Sequence, residues 1–132
     1  MIKIAVDAMG GDLAPVEMVA GAIEAVQAKP GIQVLLVGQE TVNAELSKYT
    51  YNKEQIQVVN ATEVITTEEP PVNAIRKKKD SSIVVGMNLV KNKEADAFVS
   101  AGSSGAILVG GQVIVGRIKG VERPPLAPLI PT

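Results

Sequence analysis

The chain has 132 residues, 46% hydrophobic and 20% charged, a balance that excludes a disordered polymer and supplies one core but not two. Thirteen Lys and Arg against fourteen Asp and Glu leave a formal charge of -1, so no global field draws the molecule to a polyanion, and nucleic acid is not expected as a partner. With neither cysteine nor histidine, disulfides, thiolate metal sites, a cysteine nucleophile and an imidazole base are excluded, leaving carboxylates, lysines and hydroxyls for acid–base work.

The aromatic side chains are Tyr49, Tyr51 and Phe98, too few for a platform on which bases or sugars stack. No metal site and no cofactor is expected. The first apolar run starts at Ile2 and is broken by Asp7, too short for the apolar region of a secretion signal, so a cytoplasmic protein is expected.

In chain order, residues 2–6 form a short β-branched run closed by Asp7 and a glycine pair, which predicts a strand entering a loop. Pro15 suits a first helical turn. Val16, Val19, Ala20, Ile23 and Val26 then recur at helical spacing with Glu17, Glu24 and Gln27 opposite, predicting an amphipathic helix that ends near Pro30-Gly31. Residues 32–37 are continuously apolar, as in a strand covered on both faces, and residues 41–49 read as a helix. Residues 56–59 predict a third strand, and Pro70-Pro71 opens a helix ending in Arg76-Lys77-Lys78-Lys79. Asp80-Ser81-Ser82 can cap a helix over residues 83–92, and residues 97–100 predict a fourth strand.

Residues 97–116 carry no charge, but Ser100, Ser103, Ser104, Gln112 and several glycines interrupt the apolar run where lipid demands continuous hydrocarbon. Strand, turn and a helix over 105–118, apolar nearly all round and therefore buried, are expected instead of a membrane span. Residues 126–130 read as a fifth strand. The alternation of strands and helices with short connections predicts an α/β fold built on a parallel sheet with right-handed crossovers. A strand-like run so close to Thr132, with its edge awaiting a neighbour, suggests an incomplete domain.

In open parallel sheets ligands bind beyond the carboxyl ends of strands, and two loops are candidates. The first is Asp7-Ala8-Met9-Gly10-Gly11-Asp12, whose glycines allow close approach to a ligand. It matches neither the dinucleotide pattern nor a P-loop. Gly10-Gly11 alone is equally a tight turn, and Asp12 equally a helix cap beside Pro15. Asp7, at the end of a buried strand, must be hydrogen-bonded, and so either fixes the loop backbone or serves a site.

The second loop is Ser100-Ala101-Gly102-Ser103-Ser104-Gly105, between a strand and an apolar helix. The positive end of that helix, with three hydroxyls and two glycines, suits an anion and most naturally phosphate; the alternative is an ordinary serine cap. The cation cluster around Lys78 is either a solvated helix end or a contact for an acidic partner or phosphate.

Taken together, these residues resemble a known family. Ile4-Ala5-Val6-Asp7-Ala8-Met9-Gly10-Gly11-Asp12 with Pro15, the stretch Glu69-Pro70-Pro71 followed by Ala74-Ile75-Arg76-Lys77-Lys78-Lys79-Asp80-Ser81-Ser82, Val99-Ser100-Ala101-Gly102 with Gly105-Ala106, and Arg123-Pro124-Pro125-Leu126-Ala127 with Pro131-Thr132 resemble the PlsX family of phosphate acyltransferases. The resemblance implies an enzyme of bacterial phospholipid synthesis that makes acyl phosphate from acyl-[acyl carrier protein] and inorganic phosphate. It also implies a three-layer α/β/α, Rossmann-like fold in the neighbourhood of the isocitrate and isopropylmalate dehydrogenases, with residues 1–132 as the N-terminal part of a single domain. A homodimer, and peripheral membrane contact through the part beyond this chain, are further implications.

Two positions depart from the family pattern: Asn60-Ala61-Thr62-Glu63 stands where the family usually has His-Ala-x-Glu, and Ser103-Ser104 where it usually has Asn-Thr. On this reading phosphate lies on Ser100, Gly102, Ser103, Ser104 and Gly105, with Asp7, Gly10, Gly11 and Asp12 shaping the adjacent wall and Lys78 reaching phosphate or carrier. Two rival functions are coenzyme A-dependent, phosphotransacetylase-like chemistry and a non-catalytic anion-binding or interface module.

Overall fold

The computed structural model describes residues 1–116; the expected fifth strand at 126–130 and the motif from Arg123 to Thr132 lie outside the described residues. The elements follow the alternation read from the sequence: β1 (Ile2–Asp7), α1 (Val16–Ala28), β2 (Ile32–Gly38), α2 (Thr41–Leu46), β3 (Ile56–Asn60), α3 (Pro71–Lys77), α4 (Ser82–Lys91), β4 (Ala97–Val99) and α5 (Ser104–Gly110). α5 runs on into a single π-helical turn, Gly111–Val115. The four strands form one all-parallel sheet in the order β3-β2-β1-β4.

The continuous apolar run of β2 is explained by its place between β1 and β3, with helices over both faces. On one face Val34 and Leu36 pack with Val19, Ala22, Ile23 and Val26 of α1 and with Val42 and Leu46 of α2. On the other, Leu35, Val37 and Ala5 meet Ala61, Ala95 and the partly buried Val85, Leu89 and Val90 of α4. A third apolar cluster joins α3, α4 and α5 through Ala74, Ile75, Ile83, Val84, Met87 and Ala106.

Polar side chains fasten the connections. Gln55 is buried, and its amide nitrogen lies 3.1–3.3 Å from the carbonyls of Val26, Lys29 and Ile32, tying the end of α1 to the start of β2. Ser81 caps α4 by accepting the Val84 N–H, so α4 begins one residue earlier than the sequence suggests. Asp80 accepts the Thr62 hydroxyl at 2.6 Å and the Thr62 N–H at 3.0 Å. The Lys78 ammonium donates to the Glu69 carboxylate at 2.9 Å and to the Val64 carbonyl at 2.8 Å, and Glu69 also accepts from the Thr66 backbone. These bonds anchor both ends of α3.

Two expectations are corrected. α1 has Pro15 in its cap position with no side-chain cap, because the turn before it already supplies acceptors: the Leu13 carbonyl takes the Glu17 N–H and the Pro15 carbonyl that of Val19. Asp12 is therefore not the cap. The helix expected over 105–118, and expected to be buried all round, is in its described part, up to residue 116, buried only along the stripe that meets α3 and α4; Leu108, Val113 and Val115 are exposed. The Gly110-Gly111 pair, of low α-helix propensity, coincides with the change to π geometry, which the Gly116 N–H closes on the Gly111 carbonyl. Among the described residues no helix is long and apolar enough to cross a membrane. On the α1 face, an open apolar groove of about 310 Å³ lies between that helix and β1 and β4, lined in part by Val6, Met18, Ala22 and Val99.

Two outcomes follow from this packing. A Cβ on Gly86 would collide with the Phe98 ring, so Gly86→Ala is expected to cost about 1–3 kcal/mol by overpacking, read as a lowered urea midpoint; an unchanged midpoint refutes the contact. The Lys78 ammonium and the Thr66 N–H hold the Glu69 carboxyl below its ordinary value of 4.5, and Thr62 holds Asp80 below 3.8. Their stabilisation is thus fully present above those ordinary values and is lost as pH falls through the lower folded-state values. Urea midpoints should fall on acidification from about pH 5 to about pH 3, and Glu69→Gln with Asp80→Asn should flatten that slope; an identical slope refutes the assignment.

Candidate functional site at the β1 and β4 ends

β1, β2 and β3 are laid down in one direction across the sheet, and the chain then returns to place β4 on the other side of β1. The carboxyl ends of β1 and β4 therefore flank the point where the winding reverses, which is where open α/β sheets form their ligand crevice. Both candidate loops leave from that point.

They are bonded to one another. The Asp7 carboxylate is 1% exposed; one oxygen accepts the Met9 N–H at 3.0 Å and the other accepts the Ser100 hydroxyl at 2.7 Å. The Ser100 oxygen in turn accepts the Gly102 N–H at 3.0 Å. Asp7 thus fixes the backbone of its own loop, the first of the two uses its sequence position allowed, and also ties that loop to the second one, 93 residues on.

Glycines make the contact physically feasible. A Cβ on Gly10 would stand 2.7 Å from the Asp7 carboxylate and 2.8 Å from the Gly102 nitrogen, and one on Gly102 would stand 3.2 Å from the Ser100 hydroxyl. Gly11 has φ +92°, a conformation that residues with a side chain rarely adopt. At the start of α5 a Cβ on Gly105 would come within 2.7 Å of the Pro71 ring, so the first turn of α3 is packed directly against the first turn of α5.

Ser103 caps α5, its hydroxyl oxygen accepting the Ala106 N–H at 3.2 Å. The ordinary serine-cap reading is therefore correct for Ser103, which is buried. The Ala106 N–H is taken by this cap and the Ile107 N–H by the Ser103 carbonyl, whereas the N–H groups of Ser103, Ser104 and Gly105 have no acceptor among the described residues. Ser104 is exposed beside them. What the loop offers is a cluster of backbone donors and the exposed Ser104 hydroxyl at the positive end of a helical segment, chemistry suited to a tetrahedral oxyanion.

Of the residues singled out in the sequence, Asp7, Gly10, Ser100 and Gly102 form one hydrogen-bonded and close-packed unit, with Gly11 against Ala101 beside it. Ser103, Ser104 and Gly105 continue from it into α5. Asp12 is exposed and makes no side-chain hydrogen bond among the described residues. The Lys78 ammonium is bonded to Glu69 and Val64 and makes no hydrogen bond to the unit among the described residues. Sequence reasoning missed Pro71, which it read only as a helix opener; the signal for it was a proline pair at a helix start together with a glycine at another. Among the described residues no three carboxylates come together as metal ligands.

The fatty acid synthesis protein family model matches residues 2–132. The chain is 55% identical over 132 residues to the phosphate acyltransferase of Alkaliphilus oremlandii, covering 99% of this chain and 39% of that protein. It is 56% identical over 131 residues to the phosphate acyltransferase of Clostridium beijerinckii, covering 98% and 39%, and 53% identical over 131 residues to that of Syntrophomonas wolfei, covering 98% and 41%. The chain therefore spans about two fifths of the length of these relatives. A match over nearly every residue, including both loops of the crevice, shows that the chain belongs to the fatty acid synthesis protein family.

Proposed function

We propose that this chain supplies the phosphate-holding crevice of a phosphate acyltransferase that converts acyl-[acyl carrier protein] and inorganic phosphate to acyl phosphate and free carrier. The observation that carries the reading is the set of N–H groups of Ser103, Ser104 and Gly105, which have no acceptor among the described residues, at the strand-end crevice. They suit phosphate oxygens, as does the Ser104 hydroxyl.

A phosphate held there attacks the thioester carbonyl through one oxygen. A C–O bond forms, the tetrahedral oxyanion collapses, the C–S bond breaks, and the proton of hydrogen phosphate passes to the departing thiolate. A thiolate leaves readily, so the step relies on orientation and on stabilising negative charge more than on a strong acid. Nothing in it requires an imidazole, consistent with Asn60 at the end of β3 where the family usually has histidine. Asp7, Gly10, Gly11 and Asp12 form the neighbouring wall, and Lys78 contributes charge towards phosphate or the acidic carrier.

The same reading makes residues 1–132 the N-terminal part of one larger three-layer, Rossmann-like domain in the dehydrogenase-like neighbourhood named above. Its order of β3-β2-β1-β4, with a crevice at the reversal, supports that. A cytoplasmic homodimer with peripheral contact at the inner membrane face belongs to the proposal as family implications. The coenzyme A and non-catalytic readings are not favoured: the relatives bear the name phosphate acyltransferase.

The test is a chimera in which residues 1–132 replace the matching part of the Alkaliphilus oremlandii protein, assayed for phosphate-dependent release of carrier thiol. Gly102→Val is expected to lower turnover by about 100-fold, and Ser103→Ala with Ser104→Ala by about tenfold. Acyl carrier thioesters should outperform coenzyme A thioesters as donors. Undiminished turnover in both variants overturns the crevice as the phosphate site.

A further inference from the structure

Ser100 is the hydroxyl nearest the end of β4, and a strand-end serine beside a carboxylate invites assignment as a nucleophile or a direct phosphate ligand. The geometry points to a different role: we infer that Asp7 is a positioning residue, which takes the Ser100 proton so that the Ser100 oxygen holds the Gly102 peptide and fixes the donors following it. This inference rests on the phosphate reading above.

An ionised carboxylate has no proton to give, so across the 2.7 Å contact Ser100 must be the donor. Its single proton is thereby spent on Asp7, and one of its lone pairs is spent on the Gly102 N–H at 3.0 Å. With its proton committed, Ser100 has none to donate to a phosphate oxygen. The other Asp7 oxygen is fixed by the Met9 N–H, so the carboxylate is held at both ends and cannot turn to follow a substrate. Gly10 closes over the assembly at a distance that admits no Cβ. The direction of bonding is therefore set by Asp7 and transmitted through Ser100 to Gly102, the residue immediately before Ser103, Ser104 and Gly105.

The inference separates two substitutions that sequence comparison alone treats as mild. Asp7→Asn keeps the shape and the bond from Met9, but presents an amide donor to Ser100. The Ser100 oxygen then faces two donors, the new amide and the Gly102 N–H, and its own proton is released towards the crevice. Ser100→Ala removes the relay and leaves the Asp7 carboxylate one donor short.

In the chimera described above, each variant is expected to raise the KM for inorganic phosphate about tenfold or more, with kcat lowered by less than about threefold. The double variant should be no worse than the more affected single variant, because both break one relay. An independent readout needs no phosphate: amide exchange of the peptide containing Gly102, in samples whose melting transition shows them folded, should be about tenfold faster in Asp7→Asn and in Ser100→Ala than in the parent. If Asp7→Asn does not fold, Ser100→Ala carries the test. Unchanged phosphate KM in Ser100→Ala, additive losses in the double variant, or equal exchange rates each overturn the positioning role. Absence of phosphate-dependent turnover in the parent chimera overturns the proposed function instead, and the exchange comparison still decides whether the relay holds Gly102.

Discussion

Everything at the candidate site depends on one buried contact, the Asp7 carboxylate accepting the Ser100 hydroxyl at 2.7 Å. A carboxylate that is 1% exposed would oppose folding unless its charge were met by donors. Here the donors come from two loops at once, Met9 from the loop after β1 and Ser100 from the loop after β4. The same requirement that makes the buried charge tolerable therefore also aligns the two walls of the crevice. Gly10 is part of the same solution, since a side chain there would occupy the space the contact needs.

The remainder of the fold holds these two strand ends where the contact can form. β2, buried on both faces, fixes the sheet between the α1 and α4 layers. Gln55 locks the α1–β2 junction, and the Glu69–Lys78 and Thr62–Asp80 bonds anchor the connections around α3. α3 then leans its Pro71 ring on Gly105, which carries the order of the β3–α3 region to the first turn of α5. Lys78 belongs to the same framework through its bonds to Glu69 and Val64.

The strands and helices were legible because their signals are local: the β-branched runs at 2–6 and 32–37, the helical spacing from Val16 to Val26, the proline pair at 70–71. The two loops were legible as candidates for a related reason, since glycines, hydroxyls and a carboxylate gather in them at strand ends, although each also has a structural use, as the Ser103 cap shows. What the sequence could not show is which loops meet. The placing of β4 beside β1 rather than beside β3 is a property of the crossover, and with it came the Asp7–Ser100 bond, the fit of Gly10 and the contact of Gly86 with Phe98. The all-round apolar character of residues 105–118 misled for the opposite reason. Composition describes the face a helix offers, and only the neighbours of α5, Ile75 and Met87 among them, decide which part of it is covered.

The separation of Asp7 from Ser100 along the chain also bears on the order in which the molecule assembles. Asp7 pairs with Val37 across β1 and β2 after a loop of only thirty residues, whereas the bond to Ser100 closes one of 93. By loop-closure entropy the longer closure costs about 1 kcal/mol more, and it rewards the chain only once the return past β3 has been made. The crevice is accordingly a late product of folding, absent from any intermediate that has only the first three strands. An anion bound there would draw on the whole sheet rather than one loop, so its occupancy would register as added resistance of the entire structure to unfolding.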